Sequence, residues 1–273
     1  MGQFYTEIPT FLIPWIKEQK MFWVATAPLS ETGHVNVSPK GFNGTFHIVD
    51  QTRVWYEDMS GSGAETVAHL RENERITIMF NAFEGPPRIV RLFGKGTVHE
   101  FDTPEYNALI PLNQRQPGSR SAIVVDIHKV GSSCGYSIPF YEFKANRMKL
   151  HIMAARKESE DIKAESCTIC ADGPPLPEKG LKSYWKLNNA NSIDGLPAMR
   201  DAFKSTTMFN QEIVQRDWGT DDERFATEVK AKPAKLAFID ARLLAGFVIG
   251  ILVSGLFASL VGGVGLKTKV WWM

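Results

Sequence analysis

Cysteine is scarce in this chain: three in 273 residues, at Cys134, Cys167 and Cys170. An odd and sparse set argues against a disulfide framework and suits a reducing compartment. Cys167 and Cys170 form a lone Cys-x-x-Cys with no second pair and no His-x-x-x-His beside it. Two thiolates do not complete a zinc tetrahedron, so two free thiols are expected and no metal site. The six histidines, His34, His47, His69, His99, His128 and His151, are scattered without ligand spacing. An excess of charge of one sign is also missing. A net charge of +1 leaves no electrostatic footprint for nucleic acid. There is no internal repeat and no low-complexity tract. The first residues, MGQFYTEIPTFLIPW, lack the basic start and continuous apolar stretch of a cleaved signal peptide.

With 44% hydrophobic and 22% charged residues the composition is that of an ordinary globular protein, with one uneven segment. From Leu243 to Leu266 the sequence runs 24 residues without a charge. That is long enough to cross a hydrocarbon core of roughly 30 Å as a helix. Lys230, Lys232, Lys235 and Arg242 precede the run, Lys267 and Lys269 follow it, and Trp271 and Trp272 suit the interface. The expectation is a single C-terminal membrane span with a short tail over 267–273, its N-terminal domain facing the cytosol on the more basic side. Insertion after synthesis would make this a tail anchor. Gly246 and Gly250 form a GxxxG that would let two spans pack closely.

Upstream, Ile8, Leu12, Trp15 and Ile16 have helical spacing, with Pro14 kinking or delaying that helix. Short strand-like runs follow at Phe22–Ala27, His34–Ser38, Thr45–Val49, Arg53–Glu57, Arg75–Asn81 and Arg88–Val98. Six strands at near-regular spacing suggest a barrel, and Ala122–Ile127 adds another run. Ser62-Gly63-Ala64-Glu65 matches a capping box and opens a helix between the fourth and fifth strands. Met148–Lys163 reads as a helix, and Leu181–Asn188 as a short helical or extended piece. The folded domain is expected over 1–205 and a polar linker over 206–242.

Ser60-Gly61-Ser62-Gly63 offers hydroxyls, permissive glycines and unpaired amides at a positive helix end, an anion site in outline. It has no P-loop lysine, and on its own it also reads as a capped helix after a turn. In Val35-Asn36-Val37-Ser38-Pro39-Lys40-Gly41, alternation puts the valines on one face and Asn36, Ser38 and Lys40 on the other, a polar face suited to a ligand. Arg88 and Arg91 are an odd number of residues apart, so only one of them is expected to reach the same site.

In their order, SPKG, SGSGAETVAHLREN, RITIMF, PPRIVRLFGKG, SCGYSIP and KGLKSYWKLNNANSIDGLP resemble the pyridoxamine 5'-phosphate oxidase-like family of the FMN-binding split-barrel superfamily, over about residues 3 to 200. The resemblance implies a split β-barrel, mainly β with helices, forming a homodimer with FMN at the subunit interface. It places Ser38 and Lys40 along the flavin and its phosphate tail, and Ser60, Gly61, Ser62 and Gly63 at the phosphate. Arg91 would supply a cation, with Arg88 as second choice. Cys134, Gly135 and Tyr136 would line the far side of the pocket, and Glu65 would turn back as capping-box partner. The arginines and histidine with which pyridoxamine phosphate oxidases hold their substrate have no counterpart set here, which argues against vitamin B6 oxidation. Two functions follow as expectations. One is an FMN-dependent oxidoreductase acting on a small molecule; the other is a non-catalytic, membrane-tethered flavin-binding or scaffold protein. Another flat cofactor, such as haem or a deazaflavin, is a weaker third.

Overall fold

The structure, a computed structural model, describes residues 2–165, 176–218 and 252–253. The chain divides into two compact units, Met1–Ala226 and Thr227–Met273. Of the second, only Leu252 and Val253 are described, both helical and exposed. The apolar run Leu243–Leu266 otherwise lies outside the described residues, as do Cys167 and Cys170. Among the described residues, no helix is long and apolar enough to cross a membrane.

The first unit is built on an antiparallel sheet of eight strands. They are β1 (Gln3–Tyr5), β2 (Met21–Thr26), β3 (Asn36–Gly41), β4 (Phe46–Ile48), β5 (Arg53–Met59), β6 (Arg75–Asn81), β7 (Ile89–Glu100) and β8 (Ser119–Ser133). The hydrogen-bonded order is β3-β2-β6-β7-β8-β5-β4, with β1 paired to β8. Although β2 and β4 stand five places apart in this order, Phe22 and Phe46 lie 5.1 Å apart, and Phe22 and Tyr56 5.4 Å. The sheet therefore curls on itself around an aromatic core, while its edges β3 and β4 remain unpaired with each other. This is a split barrel.

Strict alternation drives the curl. In β2, Phe22, Val24 and Thr26 are buried and the residues between them are half-exposed, so one face carries the core. The register of β7 on β8 shifts between Phe93 and Gly94, where a Cβ on Gly94 would meet the Asp126 carbonyl oxygen at 2.6 Å. Only glycine allows that approach.

Helix α1 (Ile13–Glu18) follows a 3-10 turn at Thr10–Leu12, with Pro14 in its first turn, so the proline delays the helix and does not kink it. Helix α2 (Glu65–Asn73) joins β5 to β6 and buries Val67, Ala68, His69 and Leu70. Helices α3 (Pro104–Leu109), α4 (Lys149–Glu165), α5 (Leu181–Asn188) and α6 (Gln211–Gln215) complete the domain. Phe209 and Ile213 are buried in this unit, at 2% and 5% exposure. The packed chain thus continues beyond residue 205, and residues 206–218, expected as linker, belong to the domain.

Buried carboxylates join the helical layer to the barrel. Glu100 accepts from the backbone amides of Arg200, Asp201 and Ala202 and from Arg71, closing the 198–202 segment over the sheet. Arg115 and Glu158, both almost fully buried, pair at 2.9 Å, and the Arg115 guanidinium lies over the rings of Phe101 and Phe209. Breaking such a pair from one side costs about 3–5 kcal/mol, because the other charge is left uncompensated.

Candidate functional site

The turn Ser60–Gly63 leaves the end of β5 and leads into α2, and the chain fixes it from three sides. Ser60 is buried, and both its amide and its hydroxyl donate to the Gly118 carbonyl, at 2.7 and 2.6 Å. Its Oγ accepts from the Trp185 indole at 2.7 Å. The Gly61 carbonyl accepts from Asn189 Nδ2 at 2.9 Å, and the Gly63 carbonyl accepts from Arg120 at 2.9 Å. In a trans peptide the C=O and the following N–H point in opposite directions. Drawing these two carbonyls toward the protein therefore turns the amides of Ser62 and Ala64 away from those contacts. Among the described residues neither amide has an acceptor, and the free amides at the start of α2 add the positive end of its dipole.

Beside the turn, Asp58 is fully buried between Lys40 Nζ and Arg120 Nε, each at 2.8 Å. Burial pushes the Asp58 carboxyl up, but Arg120 and Lys40 outweigh it and bring it down to about 2. The expected alternation of β3 holds: Val35 and Val37 are 70% and 60% exposed, while Asn36, Ser38 and Lys40 turn inward. Ser38 donates to Asn36 at 2.9 Å, and Asn36 donates to Thr66 at 3.0 Å and to Thr26 at 3.2 Å. Thr26 Oγ1 lies 3.0 Å from Nδ1 of buried His69, whose pKa burial lowers, so this imidazole is neutral at pH 7.

Ser38, Lys40 and the turn 60–63 are thus brought to one neighbourhood, whereas the two arginines are not. Arg91 falls in the cross-sheet row Pro39, Trp23, Met79, Arg91, Gly131. Its neighbours in β7, Val90 and Leu92, are fully buried in the core, so Arg91 projects from the opposite face of the sheet from Lys40. Within one copy it cannot serve the turn. Arg88 precedes β7, with its guanidinium 5.5 Å from the Trp15 ring centre.

The capping box does not form either. The N-cap of α2 is Ala64 without a side-chain bond, and Glu65 is the first helical residue. Its carboxylate lies over Gly63, where an added Cβ would meet Oε2 at 2.2 Å, and its Oε1 accepts from the Ile193 amide at 3.3 Å. Asp194, for which the sequence suggests no role, accepts from the amide and the ring of His34 at 2.8 and 2.7 Å, tying the 191–197 turn to the β2–β3 loop. Cys134 is exposed and Tyr136 is 84% exposed.

A cleft of about 830 Å³ opens at the other end of β3. Trp15, Phe42, Phe83, Tyr141 and Phe143 wall it, with Lys20, Lys40 and Arg147 at its lining. A cleft of this size and aromatic character has the proportions of a small-molecule site. Lys40 is common to the cleft and, through Asp58, to the turn. No group of histidine, cysteine and carboxylate side chains among the described residues could hold a metal ion.

A split barrel with an amide-presenting turn at the start of the helix between β5 and β6 defines the class of protein. The family model for pyridoxamine 5'-phosphate oxidase matches residues 12–134. The "Pyridoxamine 5'-phosphate oxidase family protein ustO" of Aspergillus flavus is 34% identical over 213 residues, which is 77% of this chain and 82% of that protein. The chain belongs to the pyridoxamine 5'-phosphate oxidase family. Among solved structures, the haem storage protein HutZ of Vibrio cholerae is 15% identical with a TM-score of 0.35, covering 47% of this chain and 97% of its own. An FMN-binding protein of Syntrophomonas wolfei is 11% identical with a TM-score of 0.33, covering 44% and 81%.

Proposed function

We propose that this chain is an FMN-binding oxidoreductase of its family, working as a homodimer and held on a membrane by Leu243–Leu266 with its barrel in the cytosol. The observation that carries the reading is the turn 60–63, with carbonyls drawn into the protein and amides left free. Fixed amides beside a helix start replace the hydration of a phosphate at no reorganisation cost. On donors, the residues present fit the phosphate end of FMN: the amides of Ser62 and Ala64, the exposed Ser62 hydroxyl, and Lys40 and Ser38 nearby. The bound flavin would supply the redox chemistry; the protein binds and orients it.

Charge is what a single copy lacks. Lys40 and Arg120 are matched by Asp58 and Glu65, so the neighbourhood sums to zero, and a phosphate dianion needs a cation. Arg91, half-exposed on the outer sheet face and in no ion pair among the described residues, is free to serve a second copy. A dimer formed through that face would complete the site. The test is the visible absorbance of the full chain in detergent before and after adding FMN. The expected result is a flavin spectrum from which free FMN is released when the protein is denatured. A folded chain that stays colourless with excess FMN excludes the reading.

A second reading is supported by the Lys40–Asp58 pair. With its lysine neutralised, the site is that of a membrane-tethered family member without catalysis. Bound FMN that no donor reduces would favour it. Orientation has its own check: protease added to intact membranes is expected to digest the barrel, and protection would reverse the topology.

A further inference from the structure

We infer that Trp185 and Asn189 are positioning residues that make the turn 60–63 selective for phosphate. Both lie more than fifty residues beyond the segment 12–134 matched by the family model. The proposal rests on the turn receiving the phosphate end of the flavin.

The amide that faces away from the protein at Ser62 belongs to the same peptide plane as the Gly61 carbonyl, and among the described residues it is Asn189 Nδ2 that holds that carbonyl, at 2.9 Å. Glycine at position 61 has no Cβ to restrict its backbone torsions, so the peptide that follows it depends on a bond to hold its direction. The hydrogen bond from Asn189 therefore sets the direction of the Ser62 N–H. Trp185 acts one residue earlier. Its indole N–H donates to Ser60 Oγ, which donates in turn to the Gly118 carbonyl, and so it fixes the point from which the turn departs. Both side chains are fully buried, on the end of α5 and the residue after it. The Met199 amide donates to the Asn189 carbonyl at 3.0 Å and the Ala198 amide to the Ala190 carbonyl at 2.8 Å, which pairs this segment with the returning loop. The direction of the Ser62 amide is thus set from the last third of the domain, while Arg120 holds the Gly63 carbonyl.

The consequence separates flavins by their tails. FMN carries the phosphate; riboflavin shares the ring and ribityl chain without it. Loss of one oriented donor to a charged oxygen is expected to weaken FMN about tenfold and leave riboflavin within about twofold. The experiment titrates both flavins into the wild-type chain, Asn189→Ala and Trp185→Phe, following flavin fluorescence, with far-ultraviolet circular dichroism to confirm folding. Trp185→Phe keeps an aromatic ring at the buried position and removes the indole donor, so it remains informative if Asn189→Ala does not fold. A fall in the FMN-to-riboflavin affinity ratio in either variant supports the inference. Equal weakening of both flavins, or no change, overturns it. If the wild-type chain binds neither flavin, the FMN reading fails separately. Inorganic phosphate then becomes the probe, read by the Trp185 indole proton resonance: a saturable shift lost in Asn189→Ala supports the role of the turn, and no shift overturns it.

Discussion

Glu65 is the residue whose charge opposes its position. Its carboxylate lies over Gly63 and beside the free amides of the turn, where a phosphate would compete with it. Replacing it with glutamine removes a like charge at a few ångströms, worth about 1 kcal/mol in a partly solvated site. Glu65→Gln is therefore expected to tighten FMN several-fold in a fluorescence titration and to leave riboflavin unchanged. Asp58 has the opposite role. Its folded-state pKa is depressed from 3.8 to about 2, so it contributes stability that is present above about pH 4 and lost as pH falls through 2. The loss amounts to about 2 kcal/mol. Asp58→Asn leaves Lys40 and Arg120 without their counter-charge and is expected to cost about 3 kcal/mol in urea unfolding at pH 7. The acid-dependent loss should be absent from the variant.

At the scale of elements, the strands and α5 were legible because each has its own period and punctuation. Leu181–Asn188 forms a helix over the expected range, and six of the strands fall where alternation places them. Strand β1 is three residues long and α3 is six, too short for a period to register, although Thr103 before Pro104 is a readable start signal. Residues 206–218 look polar on average, yet Phe209 and Ile213 fill the core, and two large side chains settle packing where composition does not. The turn 60–63 was visible as glycines and hydroxyls. What shapes it, Asn189 and Trp185, acts across about 125 residues of sequence and has no local signature. The α4–α5 junction offers a test of pH dependence. Burial raises the Asp161 carboxyl to about 6 against the Leu181 and Lys182 amides that donate to it. A raised folded-state pKa contributes stability that is full below about 4 and lost as pH rises through 6. Wild-type protein is expected to lose thermal stability between pH 5 and pH 7.5 to a degree that Asp161→Asn does not; matching profiles for the two would remove Asp161 as the cause.

For the whole molecule, the decisive feature is a sheet with two differently used faces. One face carries the barrel core, while the other exposes the row of Trp23, Met79 and Arg91, with Val37 60% exposed beside it on the edge strand β3. A two-fold dimer applies the same patch twice, so each copy would give its Arg91 to the partner and receive one in return. That arrangement would account for a phosphate turn without net positive charge and an arginine without an anion among the described residues. It also has a countable signature. Lys40→Ala and Arg91→Ala are each expected to abolish FMN binding in their homodimers. Unfolded together and refolded, the two variants yield mixed dimers in which one site has lost both cations and the other has kept both. Random pairing then restores about a quarter of the wild-type sites. Recovery of that fraction, measured as bound FMN per chain after gel filtration, would fix Lys40 and Arg91 in one site built by two copies; no recovery would confine the site to a single chain.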